Sequence, residues 1–197
     1  MIEQLNEKYW SNRYLQKQTG WDIGTVANPL KEYFDQLKIK SCAILIPGAG
    51  NAYEAEYLVE HGFQNVFVCD LAQAPLDNLA KRCPKLDRKN LIKADFFDLS
   101  PSERQYDIIV EQTFFCALDP SLRKNYFVKM KELLKPGGKL IGVLFDCSFE
   151  VSPPFGGTKE EYEKYFSGLF KVKKFELCYN SIAPRQGREI FMILENV

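Results

Sequence analysis

Residues 42–50, Cys-Ala-Ile-Leu-Ile-Pro-Gly-Ala-Gly, run from an apolar stretch directly into a Gly-x-Gly turn, and 51–58 continue in a helix-compatible pattern. A short buried strand that breaks into glycines and then a helix belongs to a parallel α/β sheet. The glycines let backbone N–H groups approach a nucleotide-like ligand at the helix start. A second apolar strand, 65–69, ends in Asp70, twenty residues beyond Gly50. At that spacing an acidic side chain accepts hydrogen bonds from a ribose diol. Gly48, Gly50 and Asp70 therefore read as one cofactor-binding unit. Gly-x-Gly alone also fits a plain turn, and it is the register of strand, turn, helix, strand and acid that favours the site.

The residue three positions after Gly50 distinguishes the ligands. A dinucleotide-binding turn wants a third glycine there, so that the helix packs closely and a pyrophosphate can approach, whereas this chain has Tyr53. A nucleoside without phosphates, such as S-adenosylmethionine, fits better than a nicotinamide or flavin.

Elements alternate along the chain: helix 30–37, strand 42–46, helix 51–61, strand 65–69, helix 74–81, strands 90–93 and 106–110, helix 120–134 and strand 138–145. This order predicts a mostly parallel sheet with helices on both faces. Leu134-Lys135-Pro136-Gly137-Gly138-Lys139 is expected to stop the long helix and reverse the chain. Beyond 146 follow a loop around 152–157, a helix over 159–168 and strands 170–179 and 188–194, joined by a hairpin-like connection at 183–187 that makes an antiparallel C-terminal pair. The segment 2–15 is expected to be helical.

At 197 residues the chain is long enough for one well-buried domain, 1–197. The 26 basic residues balance the 26 acidic ones, which argues against an obligatory nucleic-acid partner. The N-terminus lacks a leader-like apolar region and no stretch is long enough to cross a bilayer. Six scattered cysteines, with no C-x-x-C pair, read as reduced thiols in a cytoplasmic protein. The single histidine, His61, precedes Gly62 and suits a helix C-terminus. Histidine-dependent hydrolysis and metal chemistry are accordingly disfavoured, and no metal is expected.

The motifs Tyr9-Trp10-Ser11-Asn12-Arg13-Tyr14, Thr19-Gly20-Trp21-Asp22-Ile23-Gly24, Pro47-Gly48-Ala49-Gly50, Ala94-Asp95-Phe96-Phe97, the run 114–123 starting Phe-Phe-Cys-Ala, and Pro153-Pro154-Phe155 span nearly the whole chain. With them the sequence resembles the thiopurine S-methyltransferase family of class I S-adenosylmethionine-dependent methyltransferases, and within it the halide and thiocyanate branch. The resemblance implies an α/β, Rossmann-like fold: a seven-stranded, mostly parallel sheet with an antiparallel C-terminal hairpin, helices on both faces and an N-terminal lid helix. It divides the chain into a lid segment over 1–29 and a core over 30–197, with an acceptor-side loop around 146–158.

The resemblance also implies roles. Trp10, Tyr14 and Trp21 would close over the methionine end of the cofactor, and aromatic faces stabilise a sulfonium cation; core packing of the two tryptophans is the alternative. Tyr14 stands where plant relatives carry tryptophan. Asp95 and the Phe96 backbone would meet the adenine, Asp98 being a solvated turn residue. Glu111 and Gln112 would line the cofactor after the fourth strand, where plant relatives have Asp-Tyr. On the acceptor side the candidates are Arg123, Phe145 and Phe155, with Pro153 and Pro154 as an apolar cover, and with Arg13, Arg185 and Arg188 ranked lower. A helix-surface ion pair is the alternative for Arg123, and a plain connecting loop the alternative for 153–155. Phe145 stands where plant halide enzymes tend to carry tyrosine.

Methyl transfer to an acceptor that arrives as an anion needs alignment and desolvation but no general base, which suits a chain with one histidine. The expected activity is methylation of a small thiol, thiocyanate, bisulfide or halide, with a thiopurine-like thiol, another small acceptor, or a non-catalytic cofactor-binding domain as alternatives. The expected assembly is a monomer acting on a small molecule, away from nucleic acid and membranes.

Overall fold

In the computed structural model the described residues are 5–197, and they form a seven-stranded sheet in the order β3-β2-β1-β4-β5-β7-β6. The strands are β1 Ala43–Pro47, β2 Asn65–Asp70, β3 Leu91–Lys93, β4 Tyr106–Gln112, β5 Leu134–Phe145, β6 Phe170–Leu177 and β7 Glu189–Asn196. β1 to β5 pair in parallel, and β7 runs antiparallel to both β5 and β6. The helices are α1 Glu7–Leu15, α2 Asn28–Asp35, α3 Tyr53–Glu60, α4 Gln73–Arg82, α5 Arg123–Leu133 and α6 Lys159–Phe166. The expected fold class is thus present. Residues 1–4, which include part of the predicted 2–15 helix and of the lid segment, lie outside the described residues.

Alternation along β1 shows why this sheet carries helices on both faces. Ile44 and Ile46 pack with Leu30 and Phe34 of α2, Leu58 of α3 and Leu76 and Leu79 of α4. Leu45 points the other way, into the cluster holding Tyr126, Phe127 and Met130 of α5 and Tyr162 and Phe166 of α6. A strand buried on both sides has no polar face to show water, hence its continuous apolar run.

The Leu134–Lys139 break behaves differently from its reading as a stop and reversal. The chain leaves the helix at Leu134, which is already extended (φ −86°, ψ 137°). Leu134 is fully buried and pairs with Tyr106, so β5 begins there. Pro-Gly-Gly is then carried inside β5, where the register against β4 shifts between Tyr106 and Ile108 and Gly137 takes φ +75°. Core packing of Leu134 overrides the punctuation. The 183–187 connection is also more than a hairpin tip, because Arg185 on it reaches the lid segment.

On β5 Gly142 stands opposite Glu111 of β4, where a Cβ would lie 2.3 Å from the Glu111 Cβ. Gly142→Ala is therefore expected to destabilise the fold by about 1–3 kcal/mol, read as a lower denaturant midpoint.

Candidate active site

The glycine turn supplies the floor of a cavity of about 980 Å³ at the C-terminal ends of the parallel strands. Gly48 and Gly50 both take φ +54°, a conformation that favours residues without Cβ. A Cβ on Gly48 would stand 2.0 Å from the Phe114 ring, and one on Gly50 would stand 3.1 Å from the Tyr14 hydroxyl. The Gly50 N–H donates to Asp70 Oδ2 at 3.0 Å, and the Ala72 N–H donates to Asp70 Oδ1 at 2.8 Å. Asp70 is buried, and burial pushes its carboxyl up to about 6 against these hydrogen bonds, which favour the charged form.

Tyr53 opens α3 where a third glycine would have left room, and the Arg82 guanidinium lies 4.7 Å from its ring centre. The lid's Asp22 accepts from the Asn51 side chain and, at 3.5 Å, from the Tyr53 hydroxyl. A carboxylate thus stands beside the first turn of α3, and its charge opposes a bound phosphate. The geometry agrees with a phosphate-free nucleoside.

The aromatic residues of the N-terminal segment form one continuous cluster. Trp21 meets Trp10 edge to face at 5.6 Å and Tyr14 at 5.9 Å, and all three line the cavity. Besides Asp22, three further contacts hold this segment to the core. Arg185 donates to the Trp21 carbonyl at 2.8 Å, the Ala27 N–H donates to buried Glu54 at 3.0 Å, and Lys93 on β3 pairs with Glu7 of α1 at 2.6 Å. Burial and the neighbouring Asp70 push the Tyr14 hydroxyl far up, so it is protonated and able to donate.

Asp95, Phe96 and Gln112 line the cavity as well. Asp95 is exposed and uses Oδ1 to accept from the Phe97 N–H at 2.9 Å, while Phe96 is buried against Phe114 at 5.3 Å between ring centres. Gln112 Oε1 is buried and has no hydrogen-bond partner among the described residues, so a bound donor would satisfy it. Glu111 does not line this cavity, contrary to expectation. It is fully buried one residue earlier on β4 and accepts from the N–H groups of Phe114 (2.8 Å) and Phe115 (2.9 Å) and from the Tyr126 hydroxyl. Burial pushes its carboxyl up to about 7. Its work is to hold the turn at Thr113, where φ is +57°, and so to aim Phe114 over Gly48.

Of the residues expected to face an acceptor, Phe145, Pro153 and Pro154 line the cavity, whereas Arg123 and Phe155 do not. Arg123 is 2% exposed. It pairs with Glu161 of α6 at 2.6 Å and donates to the Gly156 carbonyl at 2.7 Å. The expectation of an acceptor contact, and equally that of a surface ion pair, gives way to a buried clamp that fixes the loop over 153–157. Phe155 turns its N–H to the Cys116 carbonyl at 2.6 Å, anchoring that loop from below. Arg13, Arg185 and Arg188 front the cavity instead. Phe114, Cys116 and Phe149 also line it without having been singled out as site residues. The Phe-Phe-Cys-Ala motif signalled the first two, but nothing local marks Phe149. His61 caps α3, exposed, with Nδ1 2.7 Å from the Tyr57 carbonyl oxygen, so no imidazole reaches the site.

Removing the buried Arg123 guanidinium strands the Gly156 carbonyl and leaves half-exposed Glu161 unpaired. Arg123→Ala is expected to destabilise the protein by about 3 kcal/mol, seen as a lower melting temperature. An unchanged melting curve would show that the guanidinium is not part of the core.

The family described as Thiopurine S-methyltransferase (TPMT) matches residues 5–196. A probable thiol methyltransferase of Arabidopsis thaliana is 27% identical over 186 residues, covering 91% of this chain and 81% of the relative. A thiocyanate methyltransferase of Brassica oleracea is 28% identical, covering 95% and 84%. The solved structure of a Burkholderia thailandensis didemethyltoxoflavin N-methyltransferase with S-adenosylhomocysteine superposes with a TM-score of 0.76 at 16% identity, covering 97% of this chain and 87% of that one, a likeness of fold. With nearly the whole chain matched, the protein belongs to the thiopurine S-methyltransferase family and is an S-adenosylmethionine-dependent methyltransferase.

Proposed function

We propose that the protein methylates a small sulfur nucleophile, a thiol, thiocyanate or bisulfide, ahead of a halide. The observation that carries this reading is the likeness, over more than nine-tenths of the chain, to relatives named for thiol and thiocyanate. Phe145 has no hydroxyl to offer a halide, which ranks iodide and chloride lower. The size of the cavity favours a bulkier aromatic thiol as a second reading. We further propose that the protein works as a cytoplasmic monomer on a small molecule, without a metal, nucleic acid or membrane. Supporting this, the 26 basic residues balance the 26 acidic ones, and the six cysteines carry free thiols.

S-adenosylmethionine, when bound, supplies an electrophilic methyl group on a sulfonium. The residues present fit it: the Gly48–Gly50 cradle is space that a Cβ would fill, and the orphaned Gln112 Oε1 awaits a donor. Asp70 would accept from the ribose hydroxyls, Asp95 and the Phe96 backbone would meet the adenine, and Trp10, Tyr14 and Trp21 would face the cation. Phe114, Pro153 and Pro154 would exclude water from the approach of the acceptor. No side chain is required to take a proton from an acceptor that enters as an anion.

The test is formation of S-adenosylhomocysteine by the purified protein with iodide, thiocyanate, bisulfide, small thiols and a thiopurine. Turnover is expected with the sulfur acceptors; turnover with iodide alone, or with none of them, would sink the reading.

The Asp70 carboxyl moves from 3.8 up to about 6 on folding, so between those values the folded chain binds the extra proton. Its contribution to stability is therefore greatest below 3.8 and falls as pH rises through that window. Cofactor affinity runs the other way, because a diol donates more strongly to the ionised carboxylate. Affinity for S-adenosylmethionine, measured by calorimetry, is expected to fall as pH drops below about 6. Asp70→Asn should flatten that dependence, and Asp70→Ala should weaken binding by about 1–3 kcal/mol. Unchanged affinity in Asp70→Ala would remove Asp70 from the site.

A further inference from the structure

The opening of α3 is tied to α4 by a cluster of side chains that stands behind the cavity. Ala52, the residue before α3, takes φ +53°, although it carries a Cβ, in the same turn as Gly48 and Gly50 at φ +54°. It is buried and lines the cavity. A left-handed alanine is strained where a glycine would not be, so contacts around it must hold the turn. The Ala52 N–H donates back to the Ala49 carbonyl at 2.9 Å, and the Ala52 carbonyl accepts from Ala55 at 3.0 Å and Glu56 at 3.2 Å. The Asn51 carbonyl is left over, because among the described residues no main-chain N–H donates to it.

Arg82, in the last turn of α4, meets that carbonyl. Its Nη2 donates to the Asn51 carbonyl and its Nε donates to Glu56 Oε2 at 3.0 Å, while the guanidinium carbon lies 4.7 Å from the Tyr53 ring centre. A planar fork can serve a carbonyl and a carboxylate together and still lie against a ring. The Asn51 side chain is held from the same helix: Oδ1 accepts from Asn78 Nδ2 at 3.1 Å, and Nδ2 donates to Asp22 of the N-terminal segment. Arg82, Asn78 and Glu56 do not line the cavity. Helix α4 thus fixes both the main chain and the side chain of the residue that joins the glycine turn to the N-terminal segment.

Resting on the reading that the cofactor sits against Gly48–Gly50, we propose that Arg82 is a positioning residue for that cofactor. By holding the Asn51 carbonyl it keeps Ala52 left-handed and presets the glycine turn in its binding shape. It touches no ligand and acts through Asn51. A turn ordered before the cofactor arrives spares that ordering cost on binding, so the loss of Arg82 is read in affinity.

The experiment measures the Kd of S-adenosylhomocysteine by calorimetry, at a temperature where melting curves show each variant folded. Arg82→Met keeps an apolar stem over Tyr53 and removes both donors; the Kd is expected to rise about tenfold. Arg82→Lys keeps a charge beside Glu56 without the fork and should raise the Kd about threefold, which gives a second variant if Arg82→Met does not fold. Adding Ala52→Gly to either relieves the left-handed strain and should recover affinity by about threefold. A merely structural link between α3 and α4 predicts no such recovery. An unchanged Kd in the Arg82 variants, or a raised Kd that Ala52→Gly does not lower, would overturn the proposal, and the cofactor reading would still stand if Asp70→Ala weakens binding. No binding by the parent protein, or equal binding by Asp70→Ala, would overturn both.

Discussion

The buried carboxylate of Asp70 is the joint on which the site depends. It stands at the end of β2, yet one oxygen accepts from Gly50 in the turn after β1 and the other from Ala72 at the start of α4. Two adjacent parallel strands are thereby tied at their C-terminal ends, where a doubly wound sheet opens its crevice. The cost of burying the charge shows in its raised pKa. That cost is offset by the two backbone N–H groups that the carboxylate satisfies.

Around this joint the protein repeats one device: a buried charged or polar side chain pins a loop that cannot pin itself. Glu111 holds the Phe114–Phe115 turn, Arg123 holds the 153–157 loop, Glu54 holds the backbone at Ala27, and Arg185 holds the carbonyl of Trp21. They set the position of backbone that borders the cavity, and each works because backbone N–H and C=O groups removed from water must find partners. The N-terminal segment and the β5 end are tied into one frame, with Arg185 reaching both Trp21 and Phe145.

That Gly48, Gly50 and Asp70 come together was legible in the sequence: they sit within one strand-turn-helix-strand unit, so their spacing in the chain sets their spacing in space. The placement of Arg123 and Phe155 was less legible. Both lie in motifs that point to the site, but which way a side chain turns from a loop depends on partners 32 to 38 residues away, here Phe155, Gly156 and Glu161 for the arginine. Glu111 and Gln112 are neighbours on β4, and pleating sends one into the core and the other to the cavity. Identity at a motif position does not carry that distinction.

By itself the sequence determined the alternation of elements, the glycine turn, the acid twenty residues on and the absence of a histidine that could act in the cavity, since these rest on local periodicity, backbone conformation and composition. Tertiary structure alone decided that the reversal after α5 comes at Leu134, that Arg123 is a clamp, and that Arg185, Arg188 and Phe149 line the cavity. The physical reason is the same in each case. Long-range packing chooses which of several locally acceptable turns and side-chain directions buries apolar surface and satisfies most buried polar groups at once.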